Sequence, residues 1–170
     1  MFGNSLGHAR EMRTWREFET ERPEMAAIGR SLLYEVGSIG LGFLATVRED
    51  GGPRVHPICP FVANGGLYAF IIPGPKRDDL HRDGRYALNS ETCPPPRQDD
   101  AFNVTGMAVL VEDAQLRRSL TQVFLDERDL AEPWADFDDQ ELFELTLDRC
   151  LLTLTQPHGD FPTGHTVWRG

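Results

Sequence analysis

The sequence is poor in cysteine and has no long hydrophobic run. Its cysteines, Cys59, Cys93 and Cys150, are odd in number and widely separated, which suits neither a disulfide framework nor a zinc site built from CxxC pairs. The apolar stretch at residues 67–72 is far shorter than the roughly 20 residues that span a bilayer, and residues 1–15 lack the apolar core of a secretory signal. We therefore expect a cytoplasmic protein with reduced thiols and no membrane partner.

Basic residues are scarce relative to acidic ones. The chain has 17 Lys and Arg against 27 Asp and Glu, so its net charge at pH 7 is −10. Such a charge repels a phosphate backbone unless positive side chains are concentrated locally. We expect no nucleic-acid partner.

Several motifs that carry chemistry are also missing. The sequence has no GxSxG nucleophile elbow, and its five histidines form no HExxH or comparable ligand pair, so neither a hydrolase nor a metal site is expected. There is no GxGxxG dinucleotide fingerprint either. No catalytic acid, base or nucleophile can be assigned from these patterns.

The composition is typical of one folded domain spanning residues 1–170. Hydrophobic residues make up 40% of the chain and charged residues 26%, which is close to the average of soluble globular proteins. The N-terminal part predicts two helices within residues 9–36. Trp15 and Phe18 recur at helical spacing in the first, and Pro23 is placed to begin the second.

The rest of the chain has the pattern of an antiparallel β protein. Apolar runs separated by Gly, Pro and Asn predict six strands, at residues 41–48, 54–62, 67–72, 85–91, 101–112 and 143–154. A short helix is predicted over residues 76–83 and a longer one after the N-cap Asp113, whereas residues 92–100 and the tail 156–170 are expected to be irregular. The predicted fold class is mainly β (α+β), a six-stranded antiparallel barrel with flanking helices, because closure removes exposed sheet edges.

The last predicted strand contains a change of parity. Apolar residues alternate along residues 143–147 and again along 150–154, but the second set is displaced by one position. Since side chains alternate between the two faces of a strand, both sets share a face only if one extra residue is inserted between them. We expect a β-bulge at Asp148-Arg149.

The sequence GPKR at residues 74–77 is the most informative local feature, because it places Lys76 and Arg77 at the start of the short predicted helix. Positive charge opposes the helix dipole at that end, and a bound phosphate would remove the conflict by accepting from free N–H groups. Two interpretations stay open. The segment is either a phosphate site or a pair of solvated charges balanced by Asp78 and Asp79.

Two further features are compatible with a site. Arg54 and His56 are separated by two residues, the period of a strand, and therefore share one face. That face fits either an anion or ring site or an ordinary exposed surface. Trp168, near the end of the chain, fits either a stacking residue delivered to a neighbouring subunit or an anchor for its own tail.

Several segments occur in an order that resembles one known family. They are LGFLATVR at residues 41–48, GPRVHP at 52–57, GLYAFI at 66–71, PK at 75–76, DL at 79–80 and YALNS at 86–90. This succession resembles the pyridoxamine 5'-phosphate oxidase-like FMN-binding split-barrel family and extends over residues 39–155.

The resemblance implies a split β-barrel homodimer that holds two cofactors in clefts at its interface and works as an FMN-dependent oxidoreductase on a small-molecule substrate. It implies that Arg54, His56 and Lys76 hold the cofactor phosphate, and that backbone or apolar groups in strands two and three meet the ring. The candidate cofactor-binding residues are Arg54, His56, Pro57, Ile58, Ile71, Ile72, Lys76, Arg77, Ser90 and Trp168.

Two alternatives stay open within this resemblance. The family includes reductases that use the deazaflavin F420, whose longer tail needs a more open basic groove. A non-catalytic barrel that carries a flavin, haem or another small ligand would have a similar sequence. Synthesis of pyridoxal phosphate is not expected, because true oxidases continue from a tryptophan to an Arg-Leu-Pro segment, whereas residues 168–170 close this chain.

Overall fold

A computed structural model describes residues 12–35, 37–92, 100–155 and 164–170. Within these residues the chain forms four α-helices, one short 3-10 helix and eight β-strands. The helices are α1 (Trp15–Glu21), α2 (Pro23–Leu33), α3 (Pro75–Arg82) and α4 (Ala114–Asp126). The strands are β1 (Gly42–Val47), β2 (Pro53–Ile58), β3 (Phe61–Ala63), β4 (Gly66–Ile71), β5 (Arg85–Ser90), β6 (Ala101–Leu110), β7 (Glu141–Leu154) and β8 (Gly164–Arg169).

All strand pairs are antiparallel, and the strands follow the order β2-β1-β5-β6-β7-β4-β3, with β8 added to β7. β2 and β3 lie at opposite ends of this order, although only Cys59 and Pro60 separate them in the chain. The two sheet edges must therefore approach each other at this connection. The sheet is curled into a split barrel with flanking helices, which confirms the predicted fold class.

The number of strands differs from the prediction at two places. The predicted second strand, residues 54–62, is broken at Cys59-Pro60, so that β2 pairs with β1 whereas β3 pairs with β4. Pro60 has no N–H to donate to a ladder, which explains the break. The tail 156–170 was predicted to be irregular. Residues 156–163 lie outside the described part of the chain, whereas Gly164–Arg169 forms β8 on β7.

The two N-terminal helices pack against the barrel as their periodicity predicts. Thr14 caps α1 by accepting from the backbone N–H of Glu17, whose carboxylate in turn accepts from the backbone N–H of Thr14. This capping box satisfies two N–H groups of the first turn. Trp15 and Phe18 are fully buried, and Pro23 occupies the first turn of α2. Predicted residues 9–11 and 36 lie outside the described part of the chain, as do 93–99 of the predicted loop.

The core has two parts. The larger cluster fills the barrel beneath α1 and α2 and includes the inward residues of β1, β4, β5, β6 and β7. The smaller cluster is aromatic and lies under α4, where Phe70 stacks near Phe61 and meets Phe124 edge to face. Both clusters border β4, whose six residues are all buried, as its continuous apolar run predicts.

The predicted bulge in β7 is confirmed. Thr105 on β6 pairs with Arg149, but the next residue, Gly106, pairs with Leu147, so Asp148 is the extra residue. The insertion brings both apolar sets of β7 into the same core cluster. Gly106 faces the bulge so closely that a Cβ atom there would lie 1.7 Å from the carbonyl oxygen of Thr146.

Gly106→Ala is therefore expected to destabilise the fold by about 1–3 kcal/mol or more, because the added methyl group overlaps backbone that the bulge fixes. Gly164→Ala is the matched control, since a Cβ there meets only the carbonyl oxygen of Leu154 at 3.7 Å. Urea unfolding of both variants measures the difference. Equal unfolding midpoints for the two variants would contradict a rigid bulge.

Candidate functional site

A buried carboxylate ties α3 to the first two strands. The side chain of Asp79 is 3% exposed. Its Oδ2 accepts hydrogen bonds from Arg54 Nε at 2.7 Å and from Thr46 Oγ1 at 2.9 Å, and its Oδ1 accepts from Arg82 Nη2 at 3.0 Å. Burial alone raises the pKa of Asp79, but the three donors together lower it below its ordinary value. The carboxylate is thus held in its charged form.

These contacts fix the direction of α3 along β2. Asp79 meets Arg54 in the middle of the helix, and at its end Arg82 donates to the carbonyl oxygen of Val47. The start of the helix, at Lys76, lies close enough to Cys59 for an electrostatic interaction. Because Cys59 follows the end of β2, the helix runs antiparallel to β2. The predicted site residues on the helix and on the strand are thereby brought side by side.

The start of α3 has the features of an anion site. Gly74 precedes the helix with a φ of 138°, a conformation that glycine adopts readily, and a Cβ atom there would meet nothing within 4 Å. Lys76, the single lysine of the chain, is half-buried, and burial lowers the pKa of its ammonium group. Within the part of the chain that the structure describes, this ammonium makes no hydrogen bond or ion pair.

The remaining predicted residues of β2 lie along the same helix. The partners of Arg54 and His56 on β1 are Thr46 and Leu44, which are both buried. Arg54 and His56 therefore share the inward face of β2, as their spacing predicts. His56 and Pro57 are nevertheless exposed, because β2 lies at an edge of the described sheet.

Arg77 is engaged by its own chain. Its Nη1 donates to the carbonyl oxygen of Asp139 at 2.9 Å, and its Nε lies 3.8 Å from Glu141. His81, one turn further along α3, lies 2.6 Å from the same carboxylate. Arg77 thus joins α3 to the start of β7, whereas Lys76 beside it stays unpaired among the described residues.

The predicted ring-binding residues are in different environments. Ile72 is 57% exposed, whereas Ile58 and Ile71 are buried in the core. The side chains of Ile58 and Ile71 are therefore packing groups, and only their backbone is available to a ligand.

Two predicted cofactor residues are engaged by their own chain. Ser90 is fully buried, and its hydroxyl accepts a hydrogen bond from the backbone N–H of Phe102 at 3.1 Å. Trp168 is 3% exposed, and its indole N–H donates to Glu21 while its ring lies 4.9 Å from that of Phe18. Ser90 is a core hydroxyl, and Trp168 anchors its own tail to α1.

Sequence reasoning missed the second half of the site. A groove of about 500 Å³ lies between the end of β1 and α3. It is lined by three arginines and four acidic residues, Arg48, Arg54, Arg82, Glu49, Asp50, Asp78 and Asp79. In one of the two interpretations of residues 74–77, Asp79 served only to balance the charges of Lys76 and Arg77, but it is the buried centre of this cluster. The spacing of Asp79 and Arg82, three residues apart on a helix, was the only local signal.

Two further kinds of feature are absent from the described residues. No group of three or more His, Cys, Asp or Glu side chains there is arranged to hold a metal ion. None of the described helices is long and apolar enough to cross a membrane.

The chain is similar to solved structures but not to characterised sequences. No protein-family model and no curated protein matches it. A haem-binding protein from Mycobacterium smegmatis superposes with a TM-score of 0.60 at 19% identity, over 82% of this chain and 57% of that one. The chain therefore spans little more than half the length of that protein.

Two other neighbours are named for flavin-type cofactors. A FAD-binding protein from Mesorhizobium loti has a TM-score of 0.56 at 23% identity, over 74% of this chain and 91% of that one. An F420 reductase has a TM-score of 0.53 at 24% identity, over 65% of this chain and 87% of that one. The chain has the split-barrel fold of the pyridoxamine 5'-phosphate oxidase-like proteins.

The Asp79 cluster gives a pH-dependent prediction. The pKa of Asp79 is lowered in the folded state. Its charge therefore contributes fully to stability above the pKa of an unfolded aspartate, about 3.9. The contribution is lost as the pH falls through the lower pKa of the folded state. Asp79→Asn is expected to cost about 1–3 kcal/mol at pH 7, since its arginine partners are partly exposed.

Urea unfolding at neutral and at strongly acidic pH measures this contribution. The difference between wild type and Asp79→Asn should shrink at the acidic pH. Asp78→Asn is the control, because Asp78 is exposed on the same helix. A difference that does not change with pH would show that the charge of Asp79 is not what stabilises the cluster.

Proposed function

We propose that the protein binds FMN and works as an oxidoreductase on a small-molecule substrate. The observation that carries this proposal is Lys76, whose half-buried ammonium at the start of a helix makes no hydrogen bond or ion pair with the described residues. A buried cation is costly unless it is paired, so this position is suited to a bound anion. The phosphate of FMN supplies such an anion.

The second phosphate ligand in this proposal is Arg54. Asp79 occupies only its Nε, which leaves the two terminal nitrogens of the guanidinium with donors for another group. The ion pair with Asp79 therefore orients Arg54 and does not use it up. His56, on the same face of β2 and exposed, is the third residue that we assign to the phosphate end.

The isoalloxazine ring is proposed to lie beyond the phosphate, against the exposed part of β2 and the end of β4. Pro57 and Ile72 present apolar surface there, and the backbone of Ile58 and Ile71 supplies hydrogen-bonding groups. FMN provides hydride transfer through this ring, whereas the protein provides position and electrostatics. No catalytic acid or base is assigned.

A homodimer is part of the proposal. Phe43 and Val55, on neighbouring strands of the open sheet edge, are 37% and 58% exposed, and Ile72 is similarly exposed. Apolar surface of this kind is typical of an interface, and a second subunit would enclose the ring on the side that one barrel leaves open. We place the protein in the cytoplasm, since the thiol of Cys150 is buried and free and Cys59 is exposed and free.

F420 in place of FMN is the alternative that the groove beside Arg54 favours, because its volume of about 500 Å³ offers room for a longer phosphate-bearing tail. Carriage of a ligand without turnover is the other alternative. Both are separated from the main proposal by the visible spectrum of the purified protein and by titration with each cofactor. Turnover with a reduced nicotinamide and an acceptor separates an enzyme from a carrier.

Lys76→Ala is expected to weaken FMN binding by about ten- to a hundred-fold, because a charge-assisted contact to phosphate contributes about 1.5–3 kcal/mol. Titration of the apo-protein measures this, with thermal melting to show that folding is retained. Arg118→Ala is the control, since Arg118 is exposed on α4. An unchanged affinity for FMN, or tighter binding of F420 than of FMN, would overturn the assignment.

A further inference from the structure

A second polar cavity lies on the outer face of the sheet, across β5, β6, β7 and β8. Its volume is about 460 Å³, and it is lined by three arginines, Arg85, Arg149 and Arg169, together with Thr105 and Asp148. We call it the arginine pocket. The lining residues of the arginine pocket are all different from those of the groove beside Arg54.

Two of the arginines are placed against each other. Arg149 on β7 and Arg169 on β8 are direct cross-strand partners, so their side chains project from the same face. Like charges at directly opposite positions destabilise an antiparallel pair. Neither guanidinium makes a hydrogen bond or ion pair with any residue that the structure describes, and Nε of Arg149 is buried.

The neighbouring acids do not relieve this repulsion. Asp83 holds Arg85 through two short contacts, from Nε at 2.9 Å and from Nη2 at 2.6 Å. Asp148, the bulge residue, accepts a hydrogen bond from the hydroxyl of Thr105 and has a further partner, but it pairs with neither Arg149 nor Arg169. The pocket thus keeps unpaired positive charge in a chain whose net charge is −10.

A shallow apolar groove continues from the arginine pocket over β1 and β5. Its volume is about 270 Å³, and its walls include Ala45, Val47, Pro53 and Ala87. Arg85 lines both cavities. We call this surface the alanine groove. Small side chains leave room for a flat or chain-like apolar group beside the cations.

We propose that the arginine pocket binds an oxyanion, a phosphate or a carboxylate, on a small ligand whose apolar body lies in the alanine groove. Arg149 and Arg169 donate to the oxyanion, which removes the repulsion between them. Arginine suits this role because its planar fork of donors matches two oxygens of either group. The site does not depend on flavin binding at Lys76.

Phenyl phosphate is the probe that tests this proposal, because it combines a phosphate with a flat apolar body. Calorimetric titration in phosphate-free buffer is expected to give saturable binding that is tighter than that of inorganic phosphate. Arg169→Gln should weaken it by about ten-fold or more, the equivalent of one lost charge-assisted contact. Arg118→Gln, which removes the same charge from α4, should leave it unchanged. Benzoate in a parallel titration distinguishes a preference for carboxylate from one for phosphate.

The melting temperature without ligand gives an independent readout. Arg169 is exposed near the end of β8, and Arg169→Gln removes the like-charge pair, so the unliganded variant should melt at or above the wild-type temperature. A lower melting temperature would contradict the repulsion. The proposal would be overturned if neither phenyl phosphate nor benzoate bound, or if Arg169→Gln bound phenyl phosphate as tightly as the wild type. Sedimentation is a further check. If Arg169→Gln dissociates a dimer that phenyl phosphate does not affect, the arginines belong to a subunit interface and the proposal is overturned.

Discussion

Asp79 is buried between α3 and the first two strands, where it accepts hydrogen bonds from Thr46, Arg54 and Arg82. A buried carboxylate is stable only with such donors, so its position constrains each of them. The cluster sets the direction of α3 along β2 and thereby places Lys76 beside the end of that strand. It also aims Arg54, whose terminal nitrogens keep donors for a ligand. The whole candidate phosphate site thus depends on one acidic residue that never needs to touch the phosphate.

Features encoded by local periodicity were predictable. The two N-terminal helices, the helix after Asp113 and the buried run in β4 each follow from the spacing of apolar residues within one segment. The bulge at Asp148 was predictable for the same reason, since the change of parity occurs within one strand. The split-barrel fold was predictable from the order of the strands together with the resemblance, and the position of Lys76 at the start of α3 followed from Gly74 and Pro75.

Features that depend on a distant partner were not predictable. Asp79 has the sequence context of a solvated residue, and only Arg54, 25 positions away, makes it a buried one. Ser90 and Trp168 have side chains that suit a ligand, but Phe102 and Glu21 respectively engage them in the fold. The strand β8 was missed because its pairing with β7, rather than its composition, determines it. Local pattern defines elements, whereas tertiary contacts decide which polar groups are left for function.

Lys76 can be observed alone, because it is the single lysine of the chain. Reductive methylation with isotope-labelled formaldehyde marks this side chain and the α-amino group. The pKa of an α-amino group is about two units or more below that of an ordinary lysine, so the two signals can be told apart. The most direct test is to measure the pKa of Lys76 by NMR in the apo-protein, with riboflavin and with FMN. In the apo-protein we expect a pKa of Lys76 below that of free methylated lysine, because burial lowers it. FMN should raise this pKa, because its phosphate stabilises the ammonium. Riboflavin, which has no phosphate, should not raise it. The same pKa in all three samples, with FMN bound, would contradict the phosphate site.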